Sequence, residues 1–192
     1  MNKNRIEAFS DGVFAIILTI MVLELKIPQG DDLSALRPLG PLLFSYTLSF
    51  VFVATYWVNH HHTFQVIEKV EGKTLWLNLH LLFWLTLVPF GTEWLTESHF
   101  SLFPMVFYGL IMLAAGIAYY FLIHNLARLH GPKSHLAQAV GEDIKGKLST
   151  AIYVAAIPLA FIHPLIAYAL YVVVVLIWLV PDPRIEKRLS QK

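Results

Sequence analysis

Long stretches of apolar residues dominate the chain, and short polar segments separate them. A helix that spans a membrane needs about 20 mostly apolar residues. Six stretches meet or approach this length, at about 5–27, 39–64, 74–95, 101–127, 146–162 and 165–180. The pattern therefore predicts an all-α integral membrane protein of six transmembrane helices, with residues 1–192 as a single domain.

Prolines mark the expected ends and irregularities of these helices, because proline lacks an N–H and clashes with the preceding turn. Pro28 ends the first helix, Pro89 loosens the end of the third, and Pro158 kinks the fifth. The His163-Pro164 pair leaves so little chain between the last two helices that we expect them to form a tight hairpin.

The composition supports a membrane protein and excludes several other classes. Hydrophobic residues make up 57% of the chain and charged residues 14%, whereas soluble domains carry about 25% charged residues. The sequence contains no cysteine, which excludes a disulfide scaffold, a zinc–thiolate site and a cysteine nucleophile. The net charge of +1 gives no reason to expect a nucleic-acid partner.

The distribution of lysine and arginine predicts the orientation in the membrane. With six spans, both termini and the second and fourth loops share one side, which then holds twelve of the 14 basic residues. Lys26 and Arg37 are on the other side. Because basic residues concentrate on the cytoplasmic side, we expect a multi-pass protein of the plasma (inner) membrane with both termini in the cytoplasm.

The first predicted helix presents two different faces. Residues spaced i, i+3, i+4 and i+7 form one stripe, which consists of Ile16, Thr19, Ile20 and Leu23. On a helical wheel Asp11 lies about 140° from Ile16. We therefore expect Ser10 and Asp11 to face the second and third helices and the stripe to face something else. Ordinary helix packing is the other interpretation of the stripe.

A carboxylate in a membrane helix requires hydrogen-bond donors. The second and third helices offer Trp57, Asn59, His60, His61, His62, Trp76, Asn78 and His80 as partners for Asp11 and Ser10. The sequence does not assign the individual bonds. Arg5 has three candidate partners: Glu7, a carboxylate on a neighbour, and a lipid phosphate.

The start of this helix resembles a known family. The segment Arg5-x-x-x-Phe9-Ser10-Asp11, followed by Gly12, resembles the pattern R-x-x-x-F-S-D of the transmembrane protein 175 family. This family consists of lysosomal potassium channels and their prokaryotic homologues. The resemblance implies a homotetramer of single six-helix units around a central pore lined by the first helix. Its implied partners are its own copies, the lipid bilayer and permeant K⁺, and no cofactor is implied.

The resemblance also implies roles for single residues. Ile16, Ile20 and Leu23 correspond to the apolar pore constriction, and Thr19 to a hydroxyl that affects selectivity. The Arg5-to-Gly12 motif then holds the helix in place. Apolar rings offer no ligands to replace the water around an ion, so we expect only a modest preference for K⁺ over Na⁺. Glu24 lies either near the outer mouth or at a solvated helix end.

Other functions fit the sequence less well. The run His60-His61-His62 suggests a metal site, but adjacent helical residues point about 100° apart and do not chelate one ion together. We therefore expect no metal, although the histidines can give pH sensitivity. The Glu142-Asp143 doublet is the nearest approach to an enzyme site, and we interpret it as a solvated loop pair. We expect no enzyme.

The main alternative is a secondary transporter that couples a proton to a small solute or ion. Asp11 and the nearby histidines provide groups that can carry a proton. Such transporters commonly contain two matching halves with broken helices. We find no matching halves, which favours the channel.

Overall fold

The computed structural model describes residues 3–28, 30–134, 136–138 and 143–179, and these residues form helices and no strand. The helices are α1 (Lys3–Leu23), a 3-10 helix (Leu33–Leu39), α2 (Gly40–Val66), α3 (Gly72–Thr86), α4 (Val88–Glu97), α5 (Leu102–His130), α6 (Ile144–Leu159) and α7 (Pro164–Leu179). The prediction of an all-helical chain is therefore confirmed for the described residues.

Within the described residues, four helical stretches are long and apolar enough to cross a membrane. They are Lys3–Leu23, Leu33–Val66, Gly72–Glu97 and Leu102–His130. The last two helices are shorter, since α6 and α7 contain 16 residues each. α7 is strongly apolar.

The predicted first helix ends earlier than expected, at Leu23 rather than near residue 27. Pro28 disfavours helical backbone in the residue before it. In addition, Lys26 lies outside the helix, and its Nζ contacts Glu97 Oε1 at 2.6 Å. The end of α1 is therefore joined to the end of α4.

The third predicted helix is two helices, which corrects the expectation of one helix over 74–95. The break lies at Leu87, where α3 has ended and α4 has Pro89 in its first turn. Proline is favoured at the start of a helix because it has no N–H to leave unpaired there. Pro89 therefore starts a new helix instead of loosening the end of an existing one.

The last two helices form the expected hairpin, although α6 ends at Leu159 and not near residue 162. Pro158 does not kink a continuing helix but stands at its end. The backbone N–H groups of Phe161 and Ile162 then bond three residues back, which is the geometry of a tight turn. α7 begins directly afterwards, at Pro164.

The packing order determines which surface of α1 is available. α5 packs against α3, α4, α6 and α7 and forms the centre of the subunit. α1 packs on α2, α3 and α4. Because its neighbours lie on one side, the other side of α1 is left on the surface of the chain.

Candidate functional site

α1 has one face buried against its own subunit. The buried residues recur every three or four positions, as Ile6, Ser10, Phe14, Ile17 and Met21. This is the spacing of a single helix face. The face turns Ser10 inward among apolar side chains, where its exposed fraction is 0%.

The four residues of the predicted stripe lie on the opposite, exposed face of α1. Ile16 is 58% exposed, Ile20 41% and Leu23 79%, and Thr19 is also exposed. An exposed row of large aliphatic residues on one helix is a surface that contacts a second copy or lipid, or that lines a pore. The stripe is therefore not used for packing within the subunit.

The hydroxyl of Thr19 is oriented by its own helix. Its proton is shared between the carbonyl oxygens of Ile16 at 2.9 Å and Ala15 at 3.0 Å. The lone pairs of its oxygen are thereby left on the exposed face. In chemical terms, the stripe presents three aliphatic side chains and one oxygen acceptor.

Asp11 is anchored to α2. The indole N–H of Trp57 donates to Asp11 Oδ1 at 2.9 Å. The carboxylate is half-buried. Of the candidate partners from the sequence, Trp57 is therefore the one that the described structure gives Asp11 through a hydrogen bond.

Ser10 is anchored to α3 and, through it, to α2. The amide nitrogen of Asn78 donates to Ser10 Oγ at 2.9 Å, and Ser10 donates to the carbonyl oxygen of Ile6 at 2.8 Å. With the amide of Asn78 oriented in this way, its oxygen accepts from His60 Nε2 at 2.8 Å. The chain of bonds ties three helices together in a region from which water is excluded.

The ring of His60 is fully buried between two aromatic rings. It stacks on Phe64 at 4.3 Å between centroids and meets the edge of Phe14 at 5.7 Å. Its Nδ1 has no hydrogen-bond partner within the described residues. A ring packed in this way holds the α1–α2 contact by shape as well as by its bond to Asn78.

Two further contacts join α1 to α2 near the start of α1. Lys3 Nζ donates to the carbonyl oxygens of Phe64 at 3.1 Å and Ile67 at 2.8 Å. Glu7 Oε1 lies 3.4 Å from His61 Nδ1. Lys3, Glu7 and Asp11 are four residues apart and meet α2 in reverse order, so they form a polar ladder between antiparallel helices.

The ladder includes contacts that the sequence did not lead us to expect. Lys3 was not among the expected partners, although the four-residue spacing of Lys3, Glu7 and Asp11 indicates a shared helix face. Glu7 contacts His61, and among the described residues it forms no ion pair with Arg5. Arg5 is exposed.

Other predicted partners of the motif lie elsewhere. Asn59 donates to the carbonyl oxygen of Thr55 within α2. Trp76 is 75% exposed, and His80 accepts a bond from Trp84. Two residues of the motif itself lie on the surface: Phe9 is 55% exposed, and Gly12 is also exposed.

The far end of α1 carries a group of charged residues. Glu24 and Glu93 line the same small cleft, and Lys26 pairs with Glu97. The Glu97 carboxylate accepts a hydrogen bond from the Lys26 ammonium and attracts its charge, which raises the pKa of Lys26 above its ordinary value. Acidic side chains therefore collect where α1 ends.

The described residues contain no group of three or more His, Asp or Glu side chains placed to hold a metal ion. The histidine run illustrates the reason. His60 turns inward to Asn78, while His61 turns towards Glu7 and Gln65. Neighbouring side chains on a helix diverge, so they do not converge on one ion.

Comparison with known proteins connects this geometry to a family. The sequence pattern of the family described as "Endosomal/lysosomal potassium channel TMEM175" matches residues 5–89. A potassium channel of Chryseobacterium sp. (strain P1-3) is 49% identical over 191 residues, which is 100% of both chains. A potassium channel of Streptomyces collinus is 34% identical over 84% of both chains.

Animal relatives and a solved structure extend the match. The Danio rerio protein named endosomal/lysosomal proton channel TMEM175 is 30% identical over 68% of this chain and 25% of that protein. The crystal structure of a lysosomal potassium-selective channel TMEM175 homologue from Chamaesiphon minutus covers 92% of this chain and 95% of that chain. Its TM-score is 0.80 at 30% identity. The chain therefore belongs to the TMEM175 family of ion channels and is not an enzyme.

Proposed function

We propose that the protein is a potassium channel with a modest preference for K⁺ over Na⁺. Four copies surround a central pore, and α1 of each copy lines it. Ile16, Ile20 and Leu23 form the constriction, and Thr19 adds oxygen ligands to it. The observation that carries this proposal is the exposed Ile16–Leu23 stripe on a helix whose opposite face is fixed by buried hydrogen bonds.

The chemistry of the stripe supports an ion pathway of low selectivity. Rings of aliphatic side chains do not replace the water around an ion, so an ion passes only as far as its hydration shell can be stripped or compressed. K⁺ holds its water less tightly than Na⁺ and therefore passes more easily. Four Thr19 oxygens add coordination, which tunes this preference without the carbonyl ligands of a classical filter.

Six spans per subunit are compatible with the helix lengths. The 16 residues of α6 and of α7 give helices of about 24 Å. A hydrocarbon core is about 30 Å thick, and short helices are accommodated by local thinning of the bilayer. With six spans, most lysine and arginine residues lie on one side, which supports cytoplasmic termini and a plasma (inner) membrane location.

The animal relatives favour proton conduction as a second candidate, because they are named proton channels. A proton-coupled transporter of a small solute or ion is a third possibility that uses the same groups. A proton channel differs from a potassium pore in the ion that carries the current. A transporter differs in that its flux saturates as the solute concentration rises.

The decisive experiment is a planar-bilayer recording of the purified full chain under a potassium gradient, together with its mass in detergent by native mass spectrometry. We expect ohmic single-channel currents, a reversal potential shifted from zero towards that of K⁺ in opposed K⁺/Na⁺ gradients, and a mass of four chains. A reversal potential that follows the pH gradient would replace K⁺ with H⁺. Saturable, proton-coupled uptake without single-channel steps would contradict the channel.

A further inference from the structure

A cavity of about 580 Å³ lies between α2, α5, α6 and α7, on the side of α2 away from the α1 stripe. Sites that bind small molecules in proteins have volumes of about 300–1,000 Å³. The cavity is therefore large enough for an organic ligand and is separate from the proposed pore.

The walls of the cavity are mainly apolar and aromatic. Aromatic rings line it from all four helices, and they belong to Phe52, Tyr56, Tyr119, Tyr120, Phe121, Tyr153 and Trp178. Flat rings placed around a cavity favour an aromatic ligand, since rings pack edge to face or offset.

Most polar groups of the lining already have partners. The Thr55 and Thr150 hydroxyls donate to carbonyl oxygens of their own helices, and Ser149 accepts from the Trp178 indole. The charged lining residues, Asp143 and Lys147, lie at the start of α6 and have opposite signs. The lining therefore provides no net charge for an ionic ligand.

Tyr153 and Tyr56 are exceptions among these groups. Tyr153 lines the cavity, is 3% exposed, and its hydroxyl has no hydrogen-bond partner within the described residues. Tyr56 also lines the cavity, and its hydroxyl makes no hydrogen bond within the described residues. A buried hydroxyl without a partner is unfavourable. A hydrocarbon chain offers no acceptor, so the Tyr153 hydroxyl indicates an occupant that carries its own acceptor.

We propose that this cavity binds a neutral, lipophilic aromatic carbonyl compound, whose oxygen accepts a hydrogen bond from the Tyr153 hydroxyl. The rings of the compound pack against the aromatic walls. Such a compound partitions into the bilayer and reaches the site from it. The proposal does not depend on which ion the protein conducts.

Benzophenone is the probe for the test, because it is a neutral aromatic ketone and reports its own position. Under ultraviolet light its carbonyl oxygen takes a hydrogen atom from a nearby C–H group, and the two carbon atoms then join. The full-length protein in detergent is irradiated at several benzophenone concentrations, and mass spectrometry locates and quantifies the labelled peptides. We expect saturable labelling of α6 and of the α5 segment around Gly116.

Three variants test the site. Tyr153→Phe removes only the hydroxyl, and we expect the half-saturating concentration to rise about five-fold, as for the loss of one hydrogen bond. Gly116→Leu and Ala151→Phe place bulk in the cavity from two helices, and each should abolish saturable labelling. Ala155→Phe is the matched control, because Ala155 is exposed on α6 and does not line the cavity.

Circular dichroism and size-exclusion profiles identify variants that fail to fold. If Gly116→Leu fails to fold, Ala151→Phe still tests the filled cavity, because Ala151 lies at an exposed position. Labelling that Tyr153→Phe leaves unchanged would mean that the Tyr153 hydroxyl donates no hydrogen bond to the ligand, and it would overturn the proposal. Labelling that spreads over the outer helices, or that persists in the filled variants, would also overturn it.

Discussion

At the scale of single residues, Asn78 decides how α1 is rotated. Its amide bonds Ser10 of α1 with one end and His60 of α2 with the other. All three side chains are buried, so each bond replaces water that is no longer available. Any other rotation of α1 would break the bond between Asn78 and Ser10 and leave the Asn78 N–H group without this acceptor.

We predict that Asn78→Leu destabilises the protein by about 2 kcal/mol or more, because it leaves the buried His60 N–H unpaired and removes the hydrogen bond that the Ser10 oxygen accepts. Thermal unfolding in detergent should show a Tm several degrees lower. The matched control is Asn59→Leu, since Asn59 bonds only within α2. Equal losses in the two variants would contradict the role of Asn78.

A second residue-scale prediction concerns Ile16. Ile16→Asn places a polar amide in the proposed constriction, which makes the ring easier to wet and gives every ion a ligand. We expect the K⁺/Na⁺ permeability ratio to fall towards one, as measured from reversal potentials. Val22→Asn is the control, because Val22 is exposed on α1 but lies about 120° from Ile16. If Ile16→Asn leaves the reversal potential unchanged, Ile16 is not the narrowest ring.

At the scale of helices, close approach between α5 and α7 depends on glycine. A Cβ atom at Gly109 would overlap the ring of Tyr171, which is fully buried and donates to the carbonyl oxygen of Met105 at 3.3 Å. At Gly116 of the same helix, the nearest atom is the Tyr56 hydroxyl at 3.6 Å, an ordinary contact. The two glycines therefore differ in function although both lie inside α5.

We predict opposite effects of alanine at these two glycines. Gly109→Ala should lower the free energy of unfolding by about 1–3 kcal/mol, because the Tyr171 ring has no space into which to move. Gly116→Ala should raise it by up to about 1 kcal/mol, because alanine favours the helix. Thermal unfolding of both variants checks the prediction, and a loss at Gly116 equal to that at Gly109 would contradict it.

At the scale of the whole molecule, the polar ladder sets the position of α1 relative to the rest of the subunit. Its contacts begin at Lys3 and end at Asp11, so they hold the N-terminal half of α1 against α2. The Ile16–Leu23 stripe lies on the other half. A helix that is held by polar contacts in one half and exposes one face along the other half is suited to line an axis shared by several copies.

We therefore predict that Asp11→Ala reduces both assembly and conduction. The substitution removes the acceptor for the Trp57 indole N–H. Because α1 then loses a contact with α2, the orientation of its exposed stripe is no longer fixed. Native mass spectrometry should show fewer tetramers, and bilayer recordings less current. Glu7→Ala is the control one turn earlier, where the contact with His61 is longer, at 3.4 Å. Normal tetramers and current in Asp11→Ala would refute this role.

The sequence by itself determined the helical class, the approximate helices and the two faces of α1. These properties are local, because the length of an apolar stretch and the 100° step between residues do not depend on the rest of the chain. The same local information separated the Ile16–Leu23 stripe from Ser10 and Asp11. It also provided the Arg5–Gly12 motif, which led to the family.

Only the tertiary structure decided which side chains meet. The sequence offered eight candidate partners, and the distance and rotation between helices selected Trp57 for Asp11 and Asn78 for Ser10. The same factors decided that Pro89 starts α4 and that Lys3 reaches the end of α2. They also decided that the Tyr153 hydroxyl has no hydrogen-bond partner among the described residues. Each of these outcomes depends on two or more helices at once, and a pattern along one helix contains no information about the gap to its neighbour.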